Sequence, residues 1–260
     1  MLNRRSILAA LACLATGAAL PAHADQLDDV RKKGVIQIGV PQDNPLFGTL
    51  APDGKRIGYD IEMAELIGRG LGVKVELVPI TGGNRVPFLS SGRVDLVVSS
   101  LGRSEEREKV IDFSNAYAPF YSGVFGTPSL DVKQAGDLSG VTVAVGKGSL
   151  EDLELSKIAP AGAEIRRFDG SASTISAFLS GQVQAVAAGN VVIASVADAN
   201  PDRPLRLKFL IKNSPCYVGV RKGESAMLAA VNNIIAKAKQ DGSLNAISKK
   251  WLKAELAADL

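Results

Sequence analysis

The sequence predicts an α/β protein built as two similar lobes with two crossings between them. Three observations carry this. Short apolar runs alternate with segments of helical periodicity. The alternation starts near residue 35 and starts again after residue 125. Turn-rich points at Pro119 to Pro128 and at Lys212-Asn213-Ser214-Pro215 mark where the chain passes from one block to the other.

The elements follow in order. Val35 to Val40 is a strand. Asp60 caps a helix through Leu71, with Ile61, Ala64, Ile67 and Leu71 on one face and Gly72 past its end. Val73 to Leu77 alternates as a strand does, Asn84 to Ser91 is a short helix, and Val94 to Ser99 is a buried strand. In the second block, Val141 to Val145, Glu164 to Phe168 and Val183 to Ala188 are strands. Leu150 to Ile158 and Ser171 to Ser180 are helices. The tail returns to helices at Ser225 to Asp241 and Leu244 to Leu252.

The N-terminus reads as an address. A basic start at Arg4-Arg5, an apolar run from Ile7 to Leu20 and the small-x-small triplet Ala22-His23-Ala24 form a secretory signal peptide over residues 1–24, cleaved after Ala24. Cleavage takes away the one histidine, His23, and Cys13, and leaves Cys216 alone. One cysteine closes no internal disulfide, and a chain without histidine has neither a histidine-based zinc site nor a Ser-His-Asp set. Cleavage also takes two arginines, so Lys+Arg falls from 30 to 28 against 27 acids, and +3 becomes +1. That balance gives no basis for a nucleic-acid partner. No later apolar run reaches the roughly 20 residues of a membrane helix. The expectation is an exported protein without cofactor or metal.

Ordered motifs add a family. Ser104 to Tyr117, with Glu106-Arg107 and Ile111-Asp112-Phe113-Ser114, resembles the signature of the polar amino-acid group of bacterial extracellular solute-binding proteins, family 3. Pro45-Leu46-Phe47-Gly48, Asp53-Gly54-Lys55, Gly58-Tyr59-Asp60, Ser91 to Asp95, Asp137 to Val143, Asp241 to Leu244 and Lys250-Trp251-Leu252 match the family's other motifs in order. The resemblance implies a two-lobed periplasmic-binding-protein fold of type II with a hinge. Lobe 1 is then 25–117 plus 217–260, lobe 2 is 122–212, and the crossovers lie near 118–121 and 213–216. It implies the periplasmic, monomeric substrate-binding component of an ABC importer. That component captures an amino acid or related small carboxylate and works with membrane permease subunits. The alternative on the same fold is an exported dehydratase acting on a cyclic carboxylate of the arogenate or prephenate type.

By the same resemblance Arg107 holds the ligand carboxylate, for which a guanidinium fork is suited. Ser99, Ser100 and Gly102 follow a buried strand, and open α/β sheets bind ligands at the carboxyl ends of their strands. Gly148 and Ser149 precede a helix, a natural carboxylate site, with Ser149 and Asp152 forming a capping box. Asn44, Gly82 and Asn190 complete the expected contacts. The chain departs from the family pattern at Gly189, where an ammonium-binding acid is usual, and at Asn44, Thr81-Gly82-Gly83 and Gly102. The expectation is a roomy pocket floored by Gly82, Gly83, Gly102 and Gly189, with the amino end of the ligand read in a changed way. Asp43, or the carbonyls of Ser99 and Ser100, remain available to an ammonium.

Overall fold

The structure, a computed structural model, describes residues 26–257 and Leu260. The signal-peptide reading over 1–24 lies outside the described residues. The chain opens with α1 (Gln26–Lys33), β1 (Val35–Pro41), a small hairpin of β2 (Thr49–Leu50) and β3 (Arg56–Ile57), α2 (Tyr59–Leu71) and β4 (Lys74–Ile80). It continues through α3 (Arg85–Ser90), β5 (Leu96–Leu101), the single turn α4 (Glu105–Glu108) and β6 (Ile111–Ala118). Two residues later β7 (Tyr121–Gly126) starts a second unit: β8 (Thr142–Gly146), α5 (Leu150–Ile158), β9 (Glu164–Phe168), α6 (Ser171–Leu179), β10 (Ala185–Gly189), α7 (Asn190–Ala199) and β11 (Arg206–Asn213). The chain then returns as β12 (Cys216–Arg221), α8 (Ser225–Gln240) and α9 (Ser243–Leu252).

Two five-stranded sheets result, ordered β4-β1-β5-β12-β6 and β11-β7-β10-β8-β9. In each, the strands followed by helices pair in parallel and the strands next to the crossings pair antiparallel. Each sheet is covered on both faces. In the first, α2, α8 and α9 bury Ile36, Ile38, Met63, Ile67, Val231 and Ile235 on one side, and α3 closes Leu89, Leu101, Ile111 and Phe113 on the other. Each fully buried Ile or Leu contributes roughly 1.5–3 kcal/mol. Sheets buried on both faces read as continuous apolar runs, which is why Leu96-Val97-Val98 and Val143-Ala144-Val145 were plain in the sequence.

Three expectations are corrected. Asp60 does not cap α2, because the helix begins one residue earlier at Tyr59, after Gly58, and the Asp60 side chain turns into the core. The turn-rich stretch at 119–128 is mostly the strand β7, so the crossing itself is Pro119-Phe120. The short helix expected from Asn84 begins as a 3-10 turn, Gly82–Asn84, and becomes α-helical at Arg85.

Candidate ligand-binding site

The carboxyl ends of β1, β5, β8 and β10 point into one crevice between the sheets. The crevice encloses a cavity of about 60 Å³. Asn44, Arg85, Ser100 and Gly102 wall it from the first sheet's side, Ser149, Glu151, Thr174 and Gly189 from the second, and Phe120 of the crossing closes one end. A second hollow of about 40 Å³ shares Asn44, Arg85 and Ser149 and runs toward Asp43 and Gly170.

Arg85 stands in this cavity because α3 starts directly beneath the end of β5. Its Nε donates to Ser99 Oγ at 3.2 Å and its Nη2 to Ser100 Oγ at 3.4 Å. Among the described residues no carboxylate lies within ion-pair distance of it. Burial pushes the Arg85 guanidinium below the usual arginine range, while Glu151 and Asp60 pull the other way. Ser100 presents its hydroxyl here because β5 departs from regular pairing. The register with β12 shifts between Tyr217 and Gly219, and Ser100 adopts φ 39°, a left-handed conformation costly for a residue with a Cβ. The strain is held from below. Ser100 N donates to Asp60 Oδ2 at 2.7 Å, Tyr117 Oη donates to Asp60 Oδ1 at 2.6 Å, and Tyr59 Oη donates to the Tyr117 carbonyl at 2.7 Å. Burial pushes the Asp60 carboxyl up to about 7, against those bonds to Tyr117 and Ser100 and against nearby Arg85.

Arg107 lies one layer behind. Its Nη1 donates to the Gly102 carbonyl at 2.8 Å and its Nη2 to the Gly148 carbonyl at 3.1 Å, so one fork holds main chain from both sheets' sides. It is 4% exposed, and burial followed by the like charge of Arg85 pushes it down to about 10. The positive φ of Gly148, 70°, and its approach to Gly83 turn that carbonyl toward Arg107; a Cβ at Gly148 would sit 2.7 Å from Gly83 Cα.

The facing wall is built around the start of α5. Ser149 Oγ accepts from Asp152 N at 3.1 Å, the N-cap expected, while Asp152 Oδ2 accepts from Gly148 N at 3.0 Å. Glu151, in the first turn, is 7% exposed and accepts from Ser122 Oγ at 2.7 Å. Asp43 reaches across the crevice and caps α6, accepting from Ser171 N at 3.4 Å and Ala172 N at 3.2 Å.

Of the residues singled out in the sequence, Asn44, Ser100, Gly102 and Ser149 line the cavity, and Arg107 and Gly148 meet behind it. Ser99 is fully buried and serves as Arg85's acceptor. Gly82 abuts the Lys147 carbonyl in the second hollow. Asn190 Oδ1 accepts from Tyr121 N at 3.0 Å and steadies the crossing. The roomy glycine floor is a correction. Gly82 and Gly83 are where main chain meets main chain, and a Cβ at Gly189 would lie 1.9 Å from Phe120 Cζ, so an aromatic ring fills that space. Sequence reasoning missed Arg85 and Glu151. The available signal was a lone arginine between a glycine pair and Pro87-Phe88, and an acid in the first turn after Gly146-Lys147-Gly148-Ser149.

Two α/β units, each built on a five-stranded sheet, with a small charged cavity between them have the architecture of a type II periplasmic binding protein. Comparison with known proteins agrees. The sequence profile of the bacterial extracellular solute-binding proteins, family 3, matches residues 36–254, and the chain belongs to that family. It is 31% identical to the ABC transporter glutamine-binding protein GlnH of Bacillus subtilis, over 90% of this chain and 86% of that protein. It is 28% identical to the L-cystine-binding protein TcyJ of Escherichia coli (strain K12), over 98% and 97%. The solved solute receptor for L-cysteine of Neisseria gonorrhoeae superposes with TM-score 0.81 at 30% identity, covering 90% of this chain and 96% of that one.

Proposed function

We propose that this chain is the exported, periplasmic substrate-binding component of an ABC importer, taking up an amino acid or a related small carboxylate and delivering it to membrane permease subunits. The carboxylate is bound between the lobes at the arginine pair, directly by Arg85 and with Arg107 as the second cation. The observation that carries this is Arg85: a guanidinium that faces the cavity, bonded to two hydroxyls and to no acid among the described residues. The like charge of Arg107 lies behind Arg85, and an anion in the cavity beside Arg85 offsets the repulsion between them. Lobe 2 contributes Ser149 at the head of α5, where the helix N-terminus favours a carboxylate.

Micromolar capture needs about 8 kcal/mol, and a charge-assisted bond contributes roughly 1.5–3 kcal/mol before the cost of association. Several such bonds, made together on closure, are required. The relatives named above bind amino acids, which supports the substrate class over a dehydratase. A thermal-shift screen of amino acids, organic acids, sugars and amines tests it. Stabilisation by solutes with a carboxylate and by none without one is expected. Stabilisation by sugars or amines alone overturns the assignment.

A further inference from the structure

We propose that Asp60, buried beneath the cavity, is a positioning residue whose proton is coupled to capture: the solute's negative charge at Arg85 favours the neutral form of Asp60, so binding draws a proton from solvent. This rests on carboxylate capture at Arg85 and adds a dependence on pH.

Asp60 is fully buried and does not itself line the cavity. It acts through Ser100. Its Oδ2 accepts from Ser100 N at 2.7 Å, a bond that helps to hold Ser100 at φ 39°. The Ser100 hydroxyl is a hub of the cavity wall, accepting from Arg85 Nη2 at 3.4 Å and from Asn44 Nδ2 at 3.1 Å. One carboxylate under the end of β5 therefore sets the place of two cavity side chains.

The titratable groups that face Asp60 come from its own helix and three other elements. Tyr117 of β6 donates to Oδ1 at 2.6 Å. Arg85, at the head of α3, attracts the carboxylate. Cys216 of β12 and Tyr59, the residue before it, lie within electrostatic reach. Burial pushes the Cys216 thiol and both phenols well above their ordinary values, so all three stay neutral. Elsewhere β1, β4, α8 and α9 meet α2 through apolar side chains such as Val40, Val75, Val231 and Ile247. Arg56 of β3 is bonded to the Pro41 and Gln42 carbonyls. Arg85 is therefore the cation that favours an ionised Asp60.

A carboxylate bound to Arg85 changes that balance. The arriving anion offsets the cation and repels the Asp60 carboxylate, and a like charge nearby disfavours ionisation. The Asp60 carboxyl, already pushed up to about 7 by burial, then takes a proton. Both of its bonds survive. Oδ2 still accepts from Ser100 N, and a protonated Oδ1 donates to the Tyr117 hydroxyl, which reverses that bond. Ser100 stays in place while the charge beneath it adjusts. Linkage is reciprocal, so the proton that binding favours also favours binding. Capture is tighter below neutral pH than above it.

Isothermal titration of the purified protein, freed of bound solute, decides this. The probe is the tightest binder among L-alanine, L-serine, L-glutamine, L-arginine, L-glutamate, L-phenylalanine and L-lactate, whose carboxylates stay ionised throughout the pH range used. Buffers of different ionisation enthalpy count the protons exchanged. Uptake of about 0.3–0.5 protons per solute is expected near pH 7.5, with affinity about three- to tenfold weaker at about pH 8.5 than at about pH 6. Asp60→Asn is expected to abolish the uptake and flatten the affinity profile, whatever its affinity at one pH. Tyr117→Phe removes a bond that holds the Asp60 carboxyl down, so it is expected to move maximal uptake to higher pH. No uptake by the unaltered protein, release in place of uptake, or uptake unchanged in a folded Asp60→Asn overturns the inference while carboxylate capture stands. If Asp60→Asn misfolds by circular dichroism, Tyr117→Phe decides, and an unmoved maximum overturns the inference. Binding of none of the probes removes carboxylate capture and this inference with it.

Discussion

Arg85 and Arg107 sit in the same lobe with the same charge, and their surroundings part them. Arg107 spends both ends of its fork on main-chain carbonyls, Gly102 on its own side and Gly148 across the crevice. Arg85 leans on two side-chain hydroxyls that can rotate away, and it faces the cavity. Backbone carbonyls fix a cation in place, whereas hydroxyls leave it free to exchange partners. The difference separates a group that clasps the two sides of the crevice from one that, under the proposed function, meets the solute first.

Substituting each arginine in turn tests that contrast. The largest effect is expected from Arg85→Met, a loss of about 3–5 kcal/mol of ligand affinity with little change in the melting temperature of the empty protein. Arg107→Met should cost on the order of 2–3 kcal/mol of affinity, and unlike the first it should also shift the empty protein toward an open form, seen as a larger radius in small-angle scattering. Equal affinity losses with no change in shape from either would erase the distinction. Asp43→Ala removes the acceptor at the head of α6 and is expected to weaken closure and binding by about 0.5–2 kcal/mol, read by titration.

The smallest effect near neutral pH belongs to Asp60. Its folded pKa is raised from the ordinary carboxyl value to about 7, so the folded protein holds a proton that the unfolded chain releases. Stability from this group is complete below the ordinary carboxyl pKa near 4 and is lost as pH rises through about 7. Asp60→Asn, with Tyr117, Ser100 and Arg85 still around it, should flatten that part of the melting-temperature curve between pH 4 and 7. An unchanged slope would place the proton elsewhere.

Much of the fold was legible because runs such as Val94 to Ser99 and the face of α8 depend on local periodicity. Arg107 stood out through its motif as the holder of the carboxylate, and the structure puts its fork on the Gly102 and Gly148 carbonyls behind the cavity. Arg85 and Glu151 were not, since both sit on short polar surfaces in the sequence and gain meaning only when two lobes bring them to one cavity. Asp60 misled for a related reason. An acid at a helix start looks like a cap, and only the irregular end of β5 showed that its partner is Ser100, forty residues away. The glycines misled as well: absent side chains suggested space, and neighbouring main chain and the Phe120 ring occupy it.

A crystal structure with the tightest-binding carboxylate from the screen tests the central claim most directly. The solute should lie between the lobes with its carboxylate oxygens within hydrogen-bond distance of the Arg85 guanidinium, and with Glu151 on the opposite side. A solute bound outside this crevice, or inside it with its carboxylate away from both arginines, would contradict the account.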